Sequence, residues 1–491
     1  MTFATTTAPP TAAPGSSVTD RHPDYLENAP AWRRIRSMLA GADGVRSSAD
    51  EFMPLTAEQV RRPEVRRAYI QRAAIFPATS RTLEATAGAV FRRDPTVRVP
   101  ARLDARLENI DSQGGTLLNL AQTAVRETLA MGRFGILVDS AYGADVLNDP
   151  LAATPYLVGY TAENITNWRS RIVDGQLVLD QVVLLEHSTI PVEFGSTEVV
   201  QYRVLELDEQ DYYRVRLFRQ VASGRVIEVD RIEPRAFDRR RLDRLPFVFL
   251  SPSDGADQIR RSPLLDLTDC NLNHVSVAAD LSNAIHKLSS PTLIVTGAER
   301  DEADVQLGGV VYLPRDTQCE LLEFRGDGLG VLERVLDRLE RQMAILGARL
   351  LEQPKRTAET AETTRLRQTS ETSVLSSVSR NVSDGIKRAL QIACDWDRIA
   401  GEVSFELNQD FLDSVMEPGM LEALTRSVQN GYLPVDDLYW NLRRGELLRP
   451  DLTPEQYRDE LENNPLLIGR PSPLSLTPAP ADPAAVSEDG P

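Results

Sequence analysis

The chain has 491 residues, of which 42% are hydrophobic and 26% charged, and its formal net charge is −17. A chain of this length exceeds one hydrophobic core and predicts about two to four structural units. Its acidity disfavours tight non-specific binding to duplex DNA, because such affinity comes from neutralising phosphates. No apolar run approaches the roughly 18 residues of a membrane span, and three scattered cysteines argue against a disulfide framework or a zinc site.

The first residues predict a disordered arm. The stretch "MTFATTTAPPTAAPGSSVTD" has neither the basic nor the apolar region of a signal peptide. Helices are expected over 25–41, 56–76 and 79–93. Thr56 and Thr79 are candidate N-caps, because a threonine hydroxyl can accept a hydrogen bond from a free backbone N–H of the first turn.

The next part of the chain mixes helix and strand. The segment 109–140 predicts a turn, a helix capped by Thr116 and ended by Gly132, and a buried strand, "FGILVD". Over 155–250, β-branched and aromatic residues alternate between turn signals. This pattern predicts an antiparallel sheet with hairpins, one of them across "LDEQDY". The first 250 residues are therefore expected to be α+β.

The later part of the chain is mostly helical. A helix is expected over about 263–288, a small acidic β-containing insertion over 298–326, and a second helix with a leucine-rich face over about 328–350. No proline lies between Pro354 and Pro418, which allows one helix of over 40 residues. The end of the chain after this helix is acidic and helical, and its proline-rich last residues are expected to be disordered.

A polar stripe follows the helix expected over 263–288. Its members recur at spacings of three and four, which places them on one helix face. They are Asp266, Asp269, Asn273, Ser276, Asp280, Asn283 and Lys287. The opposite face, suited to packing on another helix, carries Leu267, His274, Ala278, Leu281 and Ile285. The stripe is either an ordinary solvent-exposed face or a surface along which a ligand moves without being bound tightly.

The sequence contains no catalytic constellation. His274 and His286 are turned about 120° from each other on one helix, so they cannot share a metal. The glycine pairs "QGGT" and "LGGV" lack the phosphate-binding pattern and its lysine. No Gly-x-Ser-x-Gly elbow occurs, and no cysteine or serine has a histidine partner in its sequence context. No catalytic residue, metal site or cofactor is therefore expected.

Three basic segments interrupt the acidic background. They are "RRPEVRR" (61–67), "DRRRLDR" (238–244) and "QPKRT" (353–357). The first two either form surface ion pairs with the many acids of this chain or contact a phosphate backbone or an acidic neighbouring subunit. The third lies at the tip of a helix–loop–helix. It is either a functional basic site or a plain solvent-exposed turn, and the sequence favours neither.

The order of these elements resembles the portal proteins of tailed bacteriophages. Several stretches are also similar to one portal-like phage family, formerly known only as a domain of unknown function. They are "TAGAVFRRDPTVRVP", "ENIDSQGGTLLNLAQ", "ETLAMGRFGILVDS", "ITNWR" and "SPLLDLTDCNLNHVSVAADLSNAIHKLSSPTLIVTG". The resemblance covers roughly residues 30–445. No single motif is diagnostic, whereas their succession is fairly specific.

The resemblance implies a portal organisation within an α+β fold, with an α/β wing, two antiparallel stem helices, a β-containing clip, a long wing helix and a helical crown. The segments are a disordered arm (1–24), the wing (25–262), stem helix 1 (263–288), the clip (289–326), stem helix 2 (327–350), a tunnel loop (351–358), the long wing helix (359–400), the crown (401–465) and a disordered tail (466–491).

The resemblance also implies a function. Portal proteins are non-enzymatic virion proteins that form a ring, usually a dodecamer, at one capsid vertex in the head–tail neck. Double-stranded DNA is packaged and ejected through the ring, which is assembled in the host cytoplasm. The implied partners are the terminase large subunit, head-completion and tail-adaptor proteins, and the major capsid and scaffolding proteins, with no membrane.

Candidate site residues follow from the same resemblance. The tunnel loop would present Gln353, Lys355 and Arg356 to DNA. The clip would offer terminase or an adaptor the residues Glu299, Arg300, Asp301, Glu302 and Asp304. The polar stripe would face either the tunnel lumen or an outer belt gripped by the capsid. The competing functions are another head–tail connector ring, although such proteins are usually much shorter, and an uncharacterised hydrolase with a dispersed acidic site.

Overall fold

The computed structural model describes two compact units, residues 1–411 and 412–491. The described residues are 17–140, 154–221, 224–253, 257–289, 293–296, 310–313, 327–351, 374–409, 411, 418–444, 447–449 and 452–463.

Helices dominate the start of the first unit. In chain order they are α1 (Pro23–Leu39), α2 (Gly41–Ser47), α3 (Ala49–Phe52), α4 (Ala57–Arg61), α5 (Pro63–Arg72), α6 (Ala78–Val90), α7 (Ala101–Asp104) and α8 (Leu117–Met131), with 3₁₀ turns at Leu107–Asn109 and Ala162–Asn164. The signals predicted for α8 are confirmed. The Thr116 hydroxyl accepts a hydrogen bond from the Asn119 N–H, and Gly132 ends the helix with a left-handed φ of 73°.

One strand precedes α8, and the other strands of the first unit follow it together with three long helices. The strands are β1 (Thr96–Arg98), β2 (Phe134–Asp139), β3 (Tyr156–Thr161), β4 (Ile165–Val173), β5 (Gln176–Val192), β6 (Gly195–Leu207), β7 (Tyr213–Gln220), β8 (Val226–Ile232), β9 (Phe247–Leu250), β10 (Leu293–Thr296), β11 (Val310–Leu313) and β12 (Ser404–Glu406). The long helices are α9 (Leu265–Ser289), α10 (Asp327–Leu351) and α11 (Val374–Asp397). The α+β class expected from the sequence is confirmed.

The strands form four sheets within the described residues. A five-stranded antiparallel sheet runs in the order β4-β5-β6-β7-β8, and the hairpin expected across "LDEQDY" joins β6 to β7. A three-stranded antiparallel sheet has the order β3-β2-β9. β1 pairs antiparallel with β12, which ties the end of the unit to its beginning. β10 and β11 pair in parallel and supply the β structure expected in the insertion between α9 and α10.

The main core lies where α8 and α11 pack on the β3-β2-β9 sheet. All six residues of β2 are buried, as the continuous apolar run predicts for a strand covered on both faces. Gly385 lets α11 approach β9 closely, because a Cβ at this position would lie 1.8 Å from Leu250 Cδ2. The one glycine within α11 is therefore a packing contact with the sheet.

A second apolar cluster joins the N-terminal helices to α9. Its buried members on α1, α2 and α5 include Met38, Val45, Tyr69 and Ile70, and those on α9 are Leu272, Val275 and Ala279. Each fully buried aliphatic side chain contributes about 1.5–3 kcal/mol. This cluster holds the first half of α9 firmly against the body of the unit.

Two helix expectations are corrected. The helix expected over 56–76 is divided into α4 and α5, because Pro63 has no N–H to continue α4 and instead occupies the first turn of α5. Thr79 is not an N-cap, since its hydroxyl donates to Asn271 Oδ1 at 3.1 Å inside the core. Thr56 does act as a cap and accepts from the backbone of the first turn of α4.

The second unit is helical in its described residues. Its helices are α12 (Pro418–Gln429), α13 (Val435–Arg444) and α14 (Pro454–Glu462). A small core contains Tyr439, Leu452 and Tyr457. A capping box between Thr453 and Gln456 starts α14.

Candidate functional site

The helices α9 and α10 pack against each other, and β10 and β11 lie between them in the sequence. His274 of α9 is buried, and its Nε2 lies 3.4 Å from Glu340 Oε1 of α10. The Cys270 Sγ lies 3.8 Å from the Leu339 carbonyl oxygen. Leu267 is buried as well. Leu267, His274 and Ala278, on the face opposite the polar stripe, are thus buried, as the periodicity predicts. A second packed face of α9 carries Leu272, Val275 and Ala279.

Two carboxylates of the polar stripe pair with arginines of the same unit. Asp266 pairs with Arg261, and Asp269 Oδ1 lies 3.2 Å from Arg34 Nε of α1. About half of each aspartate side chain is exposed, so each pair contributes at most about 1 kcal/mol to stability. The arginines nevertheless cancel much of the negative charge at this end of the stripe.

The middle of the stripe has a different character. Asp280 accepts a hydrogen bond of 2.8 Å from the Tyr69 hydroxyl of α5, and burial together with this bond raises the pKa of Tyr69. Asn273 is exposed. Ser276 is a correction to the expected surface stripe, because it is buried and its hydroxyl donates to the Leu272 carbonyl oxygen at 3.2 Å.

The remaining stripe residues lie toward the end of α9. Asn283 is half-buried, and the side chain of Lys287 lies outside the described residues. The exposed members of the stripe within the described part of α9 are therefore Asp266, Asp269, Asn273 and Asp280.

Burial falls along the α9–α10 pair toward the end that adjoins β10 and β11. Leu339 and Met343 of α10 are buried, whereas Leu336, one turn before Leu339, is half-buried. Val331 of α10 is 49% exposed and Ile285 of α9 is 48% exposed. The apolar faces of the two helices therefore extend beyond the surface that this single chain covers.

The other expected site residues cannot be located on the fold. Gln353, Lys355 and Arg356 of the expected tunnel loop lie outside the described residues. The same holds for the expected clip residues Glu299, Arg300, Asp301, Glu302 and Asp304.

The basic segments 61–67 and 238–244 contain arginines that pair with acids of the same unit. The pairs are Arg66–Asp50, Arg241–Asp208 and Arg244–Asp395, and Arg398 also reaches the second segment through Asp238. This is the surface ion pairing that an acidic chain favours. It leaves the phosphate and neighbouring-subunit alternatives without support from these arginines.

A buried ionic network between two sheets has no counterpart among the sequence expectations. Arg203 of β6 donates from Nη1 to Asp139 Oδ2 at 2.9 Å and from Nε to Glu186 Oε1 at 2.7 Å. The Tyr160 hydroxyl donates to the same Glu186 oxygen at 2.7 Å. Burial raises the pKa of Asp139, and the Arg203 charge opposes this rise. The network fixes one sheet on the other, and its only sequence signal is a lone aspartate ending an apolar strand.

A second buried cation, Arg133, lies between aromatic rings. Its guanidinium carbon is 3.9 Å from the Trp168 ring centroid and 4.0 Å from that of Phe249. The His22 ring stacks on Trp168 at 3.9 Å. Burial lowers the pKa of Arg133 to about 9, which leaves it cationic at neutral pH. The stack ties the start of α1 to β4 and β9.

In the described ranges, no group of histidine, cysteine and carboxylate side chains could hold a metal ion. None of the described helices has the length and apolar character needed to cross a membrane. Cys270 and Cys394 are free thiols, and burial raises the pKa of both.

Comparisons with known proteins bear on this region. A family model described as a domain of unknown function (DUF4055) matches residues 263–397, the span from α9 to the end of α11. No curated protein matches the chain. The neck of a native GTA particle computed with C12 symmetry is 11% identical, with 74% of this chain and 89% of that chain covered at a TM-score of 0.35. The neck of an empty GTA particle computed with C6 symmetry is 12% identical, with 75% and 91% covered at a TM-score of 0.34. At such TM-scores these two likenesses carry no argument about fold or function.

Proposed function

We propose that this chain is the subunit of a phage portal ring, a structural channel for double-stranded DNA. The observation that carries the proposal is the order and packing of α9, the β10–β11 pair, α10 and α11. Two long helices pack on each other and flank a small sheet, and a third long helix then returns to the core of the α+β region. This order is the one that the portal resemblance implies for stem, clip, stem and wing.

The uncovered apolar faces of α9 and α10 support assembly. Ile285 and Val331 are each about half exposed in the single chain, at the end of the helix pair that adjoins the small sheet. Apolar helix faces of this kind gain stability when neighbouring copies cover them. A ring in which α9–α10 pairs stand side by side would bury them.

The charge of the chain suits a channel through which DNA slides. Twelve copies with −17 each would carry a charge of about −200 before counterions. A wall with many free cations would bind phosphates and slow the duplex. On the exposed stripe the arginines that approach α9 are already paired with Asp266 and Asp269. A stripe of this composition fits a lumen wall, and it equally fits an outer belt held by the capsid.

The finer assignments extend the same proposal. The stem comprises α9 and α10, the clip includes β10 and β11, and Lys355 and Arg356 touch phosphates transiently at the tunnel loop. The clip acids at 299–304 form the docking surface for terminase and later for head-completion or adaptor proteins. The ring is a dodecamer of the virion, situated at the capsid vertex and in contact with capsid and scaffolding proteins.

A structural role is proposed in preference to an enzymatic one. The sequence has no nucleophile–base pattern. The charges of Arg203, Asp139 and Glu186 satisfy one another within the core. A shorter type of connector ring is the second candidate. The three long helices α9, α10 and α11 favour the portal.

Assembly tests the proposal directly. The purified chain, of 54.5 kDa, is imaged by negative-stain electron microscopy, and its mass is measured by light scattering. Closed rings with a central opening and a mass of about twelve chains are expected. A protein that stays monomeric at every concentration tested, or that hydrolyses a substrate as a monomer, would contradict the portal assignment.

A further inference from the structure

The hairpin of β5 and β6 extends well beyond the sheet that contains it. β4 pairs with β5 only as far as Leu184, and β7 pairs with β6 only from Gln201 onward. Residues 187–192 and 195–200 pair with each other and, among the described strands, with no third strand. These residues, called the β-arm below, form a two-stranded ribbon about 20 Å long at 3.3 Å per residue. Isolated two-stranded ribbons are marginally stable in water, so a projecting one gains stability from a partner.

The tip of the β-arm is unusually apolar for an exposed turn. Phe194 is 96% exposed, the most exposed large hydrophobic side chain among the described residues. Its neighbour Glu193 is exposed and has a left-handed φ of 37°, a conformation that a non-glycine residue adopts at a cost of about 1 kcal/mol or more. The tip therefore presents an aromatic ring beside a carboxylate.

A groove elsewhere on the same unit has the matching character. It has a volume of about 260 Å³ and lies between the start of β5, strand β9 and helix α11. Its apolar lining includes Leu179, Phe247 and Ile392, and Leu177 on its rim is 58% exposed. Arg388 also lines the groove. Arg388 is exposed, its Nε donates to the Asp384 carbonyl oxygen at 3.3 Å, and it forms no ion pair with the described carboxylates.

The β-arm cannot reach the groove of its own chain. Leu179, in the groove, and Phe194, at the tip, are 15 residues apart along the continuous strand β5 and its turn. At 3.3 Å per residue they are separated by roughly 50 Å. Because both ends belong to one hydrogen-bonded sheet, the strand cannot fold back on itself. An occupant of the groove that has this tip must come from another molecule.

We propose that the β-arm of one copy docks on a second copy, with Phe194 in the groove and Glu193 beside Arg388. An aromatic anchor in a pocket with a charged rim is the usual composition of an interface hot spot. The contact joins two different surfaces, so it is head-to-tail and leads to a ring if the rotation closes or to a filament if it does not. It does not depend on the portal assignment, since a ring of any purpose could use it.

The first test measures self-association of purified full-length protein by sedimentation velocity. Phe194→Ser should raise the apparent dissociation constant at least about tenfold, the effect of losing a buried aromatic anchor. Val60→Ser, which removes an apolar side chain that is 61% exposed on α4, is the matched control and should assemble normally. Thermal unfolding of the unassembled variants should be unchanged, because neither side chain is buried in the chain.

A charge swap and a crosslink test the pairing of the two surfaces. Glu193→Arg and Arg388→Glu should each weaken assembly, and the double variant should restore it. Phe194→Cys combined with Ile392→Cys should give covalent dimers and higher multimers on oxidation, and each single variant should give none beyond background. Normal assembly of Phe194→Ser, failure of the charge swap to restore association, absence of the crosslink in assembled protein, or a wild-type protein that never associates would each overturn the proposal.

Discussion

Replacing Arg203 by methionine should destabilise the first unit in a pH-dependent way. Arg203 is the cation to which both Asp139 and Glu186 bond, and Asp139 is only 3% exposed. Removing one partner of a buried ion pair costs about 3–5 kcal/mol. Glu186 is 16% exposed and keeps its bond from Tyr160, so it can adjust. We therefore expect the free energy of unfolding to fall by an amount near the lower limit of this range, about 3 kcal/mol.

The pH dependence follows from Asp139. Burial raises its pKa and Arg203 opposes the rise, so the pKa increases further in the Arg203→Met variant. A carboxyl whose folded pKa exceeds its unfolded value of about 3.9 favours folding at low pH, and this contribution is lost as the pH rises through the folded pKa. The deficit of the variant should therefore be smaller at about pH 5 than at about pH 7.

Urea unfolding followed by tryptophan fluorescence measures this effect as a change in midpoint at constant slope. The control is Arg171→Met, since Arg171 pairs with Asp211, which is 64% exposed. The free energy of unfolding of that variant should be at most about 1 kcal/mol lower than that of the wild type at either pH. Adding Asp139→Asn to Arg203→Met should recover part of the loss and abolish its pH dependence. Equal deficits at the two pH values would refute the reasoning.

Three further predictions concern the helices and the proposed channel. Gly385→Ala should lower the free energy of unfolding, measured by urea, by about 1–3 kcal/mol, because its Cβ would clash with a leucine of β9. In contrast, Gly330→Ala on α10, with no atom nearer than 3.5 Å, should raise it by up to about 1 kcal/mol; an equal response of both would contradict this packing. Lys355→Ala with Arg356→Ala should reduce DNA retention in a packaging assay, and retention at the wild-type level would rule out the phosphate contact. Charge reversal of the acids at 299–304 should abolish terminase capture, and unaltered capture and packaging would remove the clip assignment.

Local signals predicted much of the fold. The Thr116 cap and the Gly132 terminator define α8, and alternation with turn residues predicts the five-stranded sheet, because these features depend on neighbours within a few residues. Pro63 is a local signal as well, and it limits α4 where a continuous helix was expected. Helix periodicity also identified the packing face of α9 through Leu267 and His274.

Features that depend on distant residues could not be predicted in this way. Arg203 on β6 bonds both to Asp139 on β2 and to Glu186 on β5, and the register of β5 and β6 places Glu186 beside Arg203. Arg34 reaches Asp269 because α1 packs beside α9, so the reduced charge of the stripe is a tertiary effect. That β5 is longer than β4 likewise becomes visible only in the paired sheet. Because the unpaired end of β5 projects from the sheet, the exposure of Phe194 could not be predicted either.

The central claim is that α9 and α10 form the wall of a channel. A cryo-electron microscopy map of the assembled protein, at a resolution that separates helices, tests it most directly. We expect a closed ring in which the α9–α10 pairs of successive copies surround a central opening wide enough for a DNA duplex. A map with no central opening, or one in which these helices lie at the outer rim away from any channel, would contradict it.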